Sequence, residues 1–285
     1  MLKARQLYTA IIRSAAAYAS PIWYTTSQKP GKRSRMANQL ATHQNKALRI
    51  VTGAYKATRV RQLETEAFIP LVDIWLEAKT AYFHRRLERT GMTKLILSLS
   101  APIRRQVLRR RRFRTSIQPV TTQTPFEKAR ADALKWFRAE DFESCNGRPK
   151  TRILRNWKTR WRKETGHRPS SNWTETSPGL VLQDTEPTAV ILKLHKDLRK
   201  SESSILIQAR TECIGLNQFL YKRRVPGIPS PNCICSSEPE TTRHLVQYCT
   251  RYQNREALHL SPTSRQRIDY RRLTGTPSGA KALAK

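Results

Sequence analysis

The chain has 285 residues and carries 54 Lys+Arg against 21 Asp+Glu, a formal net charge of +33; that self-repulsion opposes a compact state unless a polyanion neutralises it. No run of about 18 uncharged apolar residues occurs, so neither a transmembrane helix nor a membrane partner is expected. DNA and RNA are the natural polyanions, because each phosphate met by Lys or Arg releases condensed counterions; a basic protein of ribosomes or of membrane surfaces is the plainer reading of the same charge.

In chain order, residues 1–90 read as a small all-helical domain. Leu7, Ile11, Ile12, Ala15 and Tyr18 recur at three- and four-residue steps and predict one apolar helix stripe, ending near Ser20-Pro21, where proline biases its predecessor out of the helical region. Trp23 with Tyr8, Tyr18 and Tyr24 look like a packed face. Lys29-Pro30-Gly31-Lys32 is a loop. A second helix is expected over 36–51, closed by Gly53, then a short one over 60–68 and a longer one over 71–88, with Pro70 placed to start it. Lys3, Arg5, Arg13, Lys29, Lys32, Arg33 and Arg35 precede the first acid, Glu64, which imitates a mitochondrial transit peptide. The helical pattern outruns a presequence, so a nuclear or nucleocytoplasmic location is expected, with mitochondrial as the alternative.

Residues 91–187 differ. Arg104, Arg105, Arg109, Arg110, Arg111, Arg112 and Arg114 fall in one short stretch, followed by Ser, Thr, Gln and Pro with weak periodicity, and a partly disordered, phosphate-contacting linker is expected. One helix is predicted over 126–142. Lys158, Arg160 and Arg162 interleave with Trp157 and Trp161; such a segment stacks on bases, and two Trp at i and i+4 are equally what a buried helix face shows.

The third zone, 188–260, begins with Val190, Leu194, Leu198, Ile205, Leu206 and Ala209 on one or two helices, then a short helix over 216–222 with the cations Lys222, Arg223 and Arg224 at and just beyond its end. Pro226, Gly227, Pro229 and Pro231 make a rigid turn region. Residues 261–285 are expected as a disordered basic tail.

The densest chemistry lies here: Cys233-Ile234-Cys235, eight residues, His244, four residues, Cys249. Three thiolates and an imidazole close a tetrahedral site for structural Zn²⁺ and leave no coordination position for a substrate. The one-residue gap between the first two demands a sharp knuckle. Scattered buried cysteines and a core histidine are the bland alternative. Cys145 and Cys213 read as plain thiols, and His43, His84, His167, His195 and His259 have no cysteine at ligand spacing. Glu140, Asp141 and Glu143 are the closest acids but end a basic helical stretch, and no phosphate loop, nucleophile elbow or zinc-hydrolase motif occurs. Neither a catalytic site nor a small-molecule substrate is expected; oligomeric state stays open.

Leu7-Tyr8-Thr9-Ala10-Ile11-Ile12-Arg13-Ser14, then Tyr18-Ala19-Ser20-Pro21-Ile22-Trp23, resemble the helix after the palm in reverse transcriptases of non-LTR (LINE-type) retrotransposons. Residues 44–55 and 63–71 resemble the following thumb and connection elements. Leu194-His195-Lys196, Arg210-Thr211, Gly215-Leu216-Asn217, Arg223-Arg224-Val225-Pro226-Gly227 and the Cys/Cys/His/Cys pattern are similar to the C-terminal end of fungal elements. The resemblance implies a mainly α fold, with a thumb-like domain, a basic middle from which RNase H is deleted and helices with a zinc module. It also implies binding of RNA and/or DNA by a decayed element copy. The family's palm, with its Tyr/Phe-x-Asp-Asp metal-binding turn, is absent. The other reading is a zinc-containing DNA-binding regulatory or interaction protein, in which the helix of His244 reads a groove; the neighbouring Glu238 and Glu240 argue against it.

Overall fold

A computed structural model describes residues 1–24, 33–99, 124–138, 149–165, 186–235, 238–251 and 270–284. The protein is mainly helical: among the described residues 71% are helix and none lies in a strand, as a chain with 3.6-residue apolar spacing dictates. The helices are α1 (Leu2–Leu7), continued by a π-helical turn over Tyr8–Ile12, α2 (Arg13–Ala16), α3 (Ser20–Trp23), α4 (Arg35–Thr52), α5 (Val60–Ala67) and α6 (Val72–Arg89). They continue as α7 (Pro125–Arg138), α8 (Pro149–Thr165), a 3₁₀ helix (Ala189–His195), α9 (Lys200–Arg210), α10 (Asn217–Lys222), α11 (Thr242–Gln247), α12 (Tyr270–Gly275) and α13 (Pro277–Ala284).

Two compact units form, one from Met1–Ile12, Asn45–Ile69 and Arg160–Lys285, the other from Arg13–Gln44 and Pro70–Thr159. They interleave along the chain, whereas the composition zones 1–90, 91–187, 188–260 and 261–285 are consecutive. The middle zone thus contributes folded helices as well as residues 100–123, 139–148 and 166–185, which lie outside the described residues.

In the first unit Met1, Tyr8, Leu48, Val51, Leu63, Ala67, Ile69 and Ile207 make one core, and Ile191, Leu194, Leu206 and Ala280 a second. Gly53 ends α4 at φ +66°, and a Cβ there would collide with the Ser204 side chain. Glycine is therefore needed both for the left-handed turn and for the close approach of α9, whose Gln208 donates to the Gly53 carbonyl at 2.8 Å. Arg5 caps α5 from outside, donating to the Ala67 and Phe68 carbonyls at 2.6 and 2.9 Å, which places a cation at the negative end of that helix.

The expected disordered tail is corrected for residues 270–284. The helix pair α12 and α13 packs on α9 and on the 3₁₀ helix, with Leu273 and Ala280 fully buried. Tyr270 donates to the Ala209 carbonyl at 3.3 Å, and Arg210 to the Thr274 carbonyl at 2.5 Å. A short apolar set spaced for helices suffices when a groove receives it; basic composition concealed it.

In the second unit Ala17, Tyr24, Ala37, Val72 and Leu76 form the core. Pro70 lacks an N–H, but its carbonyl takes bonds from Arg13 at 2.6 Å and Gln44 at 3.2 Å, and the Arg13 guanidinium also lies 4.2 Å over the Trp75 ring. Helix α7 packs on α6 through Tyr82 against Trp136, edge to face, and through the Arg130–Glu88 pair at 2.5 Å.

The first-helix stripe is a second correction. Leu7, Ile11, Ile12 and Tyr18 are exposed, Tyr18 by 83%, while Met1, Tyr8, Arg13 and Ala17 are buried. The π turn over Tyr8–Ile12 adds a residue to the turn and rotates the buried face off the 3.6-residue phase. Pro21 starts a short helix instead of ending the first, since it sits in the first turn of α3, where no amide is missed.

Candidate metal centre and basic surface

The segment before α11 folds back on itself. The Cys233 amide donates to the Glu238 carbonyl and the Glu240 amide to the Pro231 carbonyl, each at 2.9 Å, around an antiparallel bridge between Asn232 and Pro239. This is the knuckle that the one-residue cysteine gap demands; it buries Cys233, half-buries Cys235 and turns Ile234 outward, 69% exposed. Thr241 caps α11 by accepting the His244 amide at 3.0 Å, a favoured N-terminal arrangement that sets His244 in the first turn. After α11 the Cys249 amide returns to the His244 carbonyl at 2.8 Å.

Ligand atoms of Cys233, Cys235, His244 and Cys249 therefore all lie within 4.8 Å of one another. Cys233 and Cys249 sulfurs are 3.6 Å apart, and the Cys235 sulfur is 3.2 Å from His244 Nε2. Tetrahedral coordination at Zn–S of about 2.3 Å and Zn–N of about 2.0 Å requires edges of about 3.5–3.8 Å; the Cys233–Cys249 edge has that length, and small side-chain shifts would bring the rest of the set, all within 4.8 Å, to it. This group can hold a metal ion, and no other of the kind is found among the described residues. Burial pushes the Cys233 thiol up to about 11, against the pull of the Cys235 backbone N–H; a cation binding there would displace that proton.

Two acids extend the centre that the sequence reading took only as negative flanks. Glu238 places a carboxylate oxygen 3.3 Å from His244 Nδ1, the ring nitrogen opposite the one facing the thiols, which is how carboxylates orient metal-binding imidazoles. Glu240 accepts the backbone N–H of Asn217 at 2.8 Å, and the Asn217 amide donates to the Asn232 carbonyl at 3.2 Å. The knuckle is thereby bonded to the start of α10.

Helix α10 ends at the expected cations. Lys222, Arg223 and Arg224 are exposed, and Arg224 takes a left-handed backbone, φ 53°, just beyond the helix, where glycine is usual. The Arg223 guanidinium lies 5.7 Å from the Phe219 ring centre, and Phe219 stacks on Tyr55 at 5.7 Å and 28°. Tyr55 is 44% exposed. Sequence reasoning missed this pair, because 164 positions separate its members.

The other expected contacts stand differently. Arg104, Arg105, Arg109, Arg110, Arg111, Arg112 and Arg114 lie outside the described residues, as does Cys145. Lys158 is half-buried on α8. Arg160 pairs with Glu164 at 2.9 Å, and Arg162 with Glu186. Trp157 and Trp161 are buried, which decides the open choice in favour of a packed helix face. Cys213 is a free thiol away from the cluster, and His84 and His195 are buried core residues. No helix among the described residues is long and apolar enough to cross a membrane. Compared with known proteins, the chain matches no family model, no curated protein and no solved structure.

Proposed function

We propose that this chain is a nucleic-acid-binding protein of non-LTR retrotransposon descent, equivalent to the thumb and C-terminal part of the reverse transcriptase, acting by binding and not by polymerase chemistry. In this reading the ion is Zn²⁺, since thiolates and imidazole in a four-ligand set suit it, and its role is structural. The partner is RNA or DNA and the place of action the nucleus. The observation that carries the reading is the joining of the Cys₃His knuckle, through Glu240 and Asn217, to a helix that ends in three exposed cations, in a chain of net charge +33.

The test is binding of labelled RNA, single-stranded DNA and duplex DNA across a salt series, with metal analysis of the purified chain. About one Zn²⁺ per chain and an affinity that falls about 10³-fold from ~50 to ~200 mM salt are expected. Affinity insensitive to salt, or a protein purified without metal whose fold ignores added Zn²⁺, would refute the reading. Primer extension on an RNA template should show no incorporation above a no-protein control.

A further inference from the structure

We infer that Tyr55, Phe219 and Arg223 form a seat on which one unpaired base of a single-stranded nucleic acid stacks, with Arg223 and Arg224 beside it for the flanking phosphates. This deepens the nucleic-acid reading and rests on it.

Trp157 and Trp161, the aromatics that the sequence interleaves with cations, are buried and have no face to offer. Tyr55 belongs to the turn after α4, is 44% exposed and lies stacked on half-buried Phe219 of α10. A ring covered on one face by another ring keeps its second face for a further π partner, and bases supply one only when unpaired.

The seat is built, not incidental. Arg49 donates to the Lys56 carbonyl at 3.2 Å and so fixes the turn that carries Tyr55. The absence of a Cβ at Gly215 gives the Tyr55 hydroxyl room, for one there would come within 3.2 Å. On the other side, Glu240 and Asn217 fasten α10 to the metal knuckle. The cations at the rim differ in availability. Lys222 lies within Coulombic reach of Glu212, whereas Arg223 is held over Phe219 and Arg224 projects from a left-handed turn. Glu238 and Glu240, the next acids after Arg224 in sequence, are turned to His244 and to Asn217. An arginine over an aromatic ring beside an exposed stack is the arrangement that holds a base and its phosphate together.

The experiment uses the full chain, a labelled oligodeoxythymidine of about 20 nucleotides, longer than a usual single-strand site, and a duplex of equal length. Tyr55→Ala should weaken oligodeoxythymidine binding about ten-fold and leave the duplex within about two-fold, as loss of one stacked base does. Tyr55→Phe should bind as the unaltered chain. Tyr55→Leu, which keeps an apolar contact with Phe219, should reproduce the Ala result even if Tyr55→Ala fails to fold. Equal weakening on both probes, or none on either, overturns the seat alone. Failure of the unaltered chain to bind either probe overturns the nucleic-acid reading with it.

Discussion

The carboxylate of Glu240 accepts the backbone N–H of Asn217 at 2.8 Å while the Glu240 amide donates to the Pro231 carbonyl at 2.9 Å. One residue thus ties the first turn of α10 to the turn that carries two of the four ligands. Glu240 does for α10 what a capping side chain does, satisfying an orphan amide with an anion at the positive helix end. Glu240→Ala should cost about 1 kcal/mol, read as a lowered midpoint in urea denaturation of the metal-loaded protein. The bound metal content should not change, because Glu240 is not one of the ligands. An unchanged midpoint would show that the knuckle and α10 are not coupled through this bond.

Glu238 stands 3.3 Å behind the imidazole of His244, but its side chain is 56% exposed, so water competes for the bond. Removing such a carboxylate usually weakens metal affinity 10–100-fold, and exposure puts this one at the lower end. Glu238→Gln should bind Zn²⁺ about 10-fold more weakly in competition with a chromogenic chelator. Cys235→Ser should lose the metal altogether, and proteolysis should then cut between residues 225 and 251. Equal affinity for the Gln variant and the unaltered chain would mean that Glu238 does not orient the ring.

Arg210 and Glu66 form a buried pair, their side chains 2% and 5% exposed, with the guanidinium Nε 3.0 Å from each carboxylate oxygen. Because Arg210 also donates to the Thr274 carbonyl, it joins α5, α9 and α12. Removing one partner strands a buried charge, so Glu66→Leu alone, or Arg210→Met alone, should destabilise by about 3 kcal/mol or more. Replacing both, as Glu66→Leu with Arg210→Met, should recover much of that loss. Chemical denaturation of the four proteins gives the cycle, and a single substitution that costs less than the double one would contradict it.

His195 lies buried on the 3₁₀ helix, where burial, aided by the Arg210 guanidinium and the N-terminal amine, lowers its pKa from 6.5 to about 4. The folded protein therefore refuses a proton that the unfolded chain accepts once pH falls below 6.5. Stability conferred by the neutral ring is complete above that pH and is lost progressively down to about pH 4, a change of about 3 kcal/mol. Denaturation at pH 7 and near pH 4.5 should show a smaller drop for His195→Leu than for the unaltered chain. The comparison between the two proteins isolates the ring from metal loss at acid pH. Identical drops would remove His195 from the account.

Local sequence sufficed where the deciding interaction is short in range. The 36–51 pattern and Gly53 anticipate α4 and its left-handed end; Pro70 anticipates the start of α6; the Cys233, Cys235, His244 and Cys249 spacing anticipates a four-ligand cluster, because a hairpin and one helix turn bring these residues together whatever the rest of the chain does. The exposed basic end of α10 follows in the same way from Lys222, Arg223 and Arg224. What neighbours in sequence could not settle was burial. The π turn rotated the first helix so that Leu7, Ile11 and Ile12 face outward while Tyr8 and Arg13 face inward, and no spacing rule reports a register change that packing selects. Trp157 and Trp161 went inward for the same reason, and Tyr55 and Phe219 met across 164 positions. The residues after 269, read as a tail from their charge, became a helix pair because α9 and the 3₁₀ helix supply a groove and Arg210 a buried donor. Composition states how much apolar surface a chain has to hide; only the tertiary structure decides which of it finds a partner, since that depends on contacts whose chain entropy is repaid only when the whole unit closes.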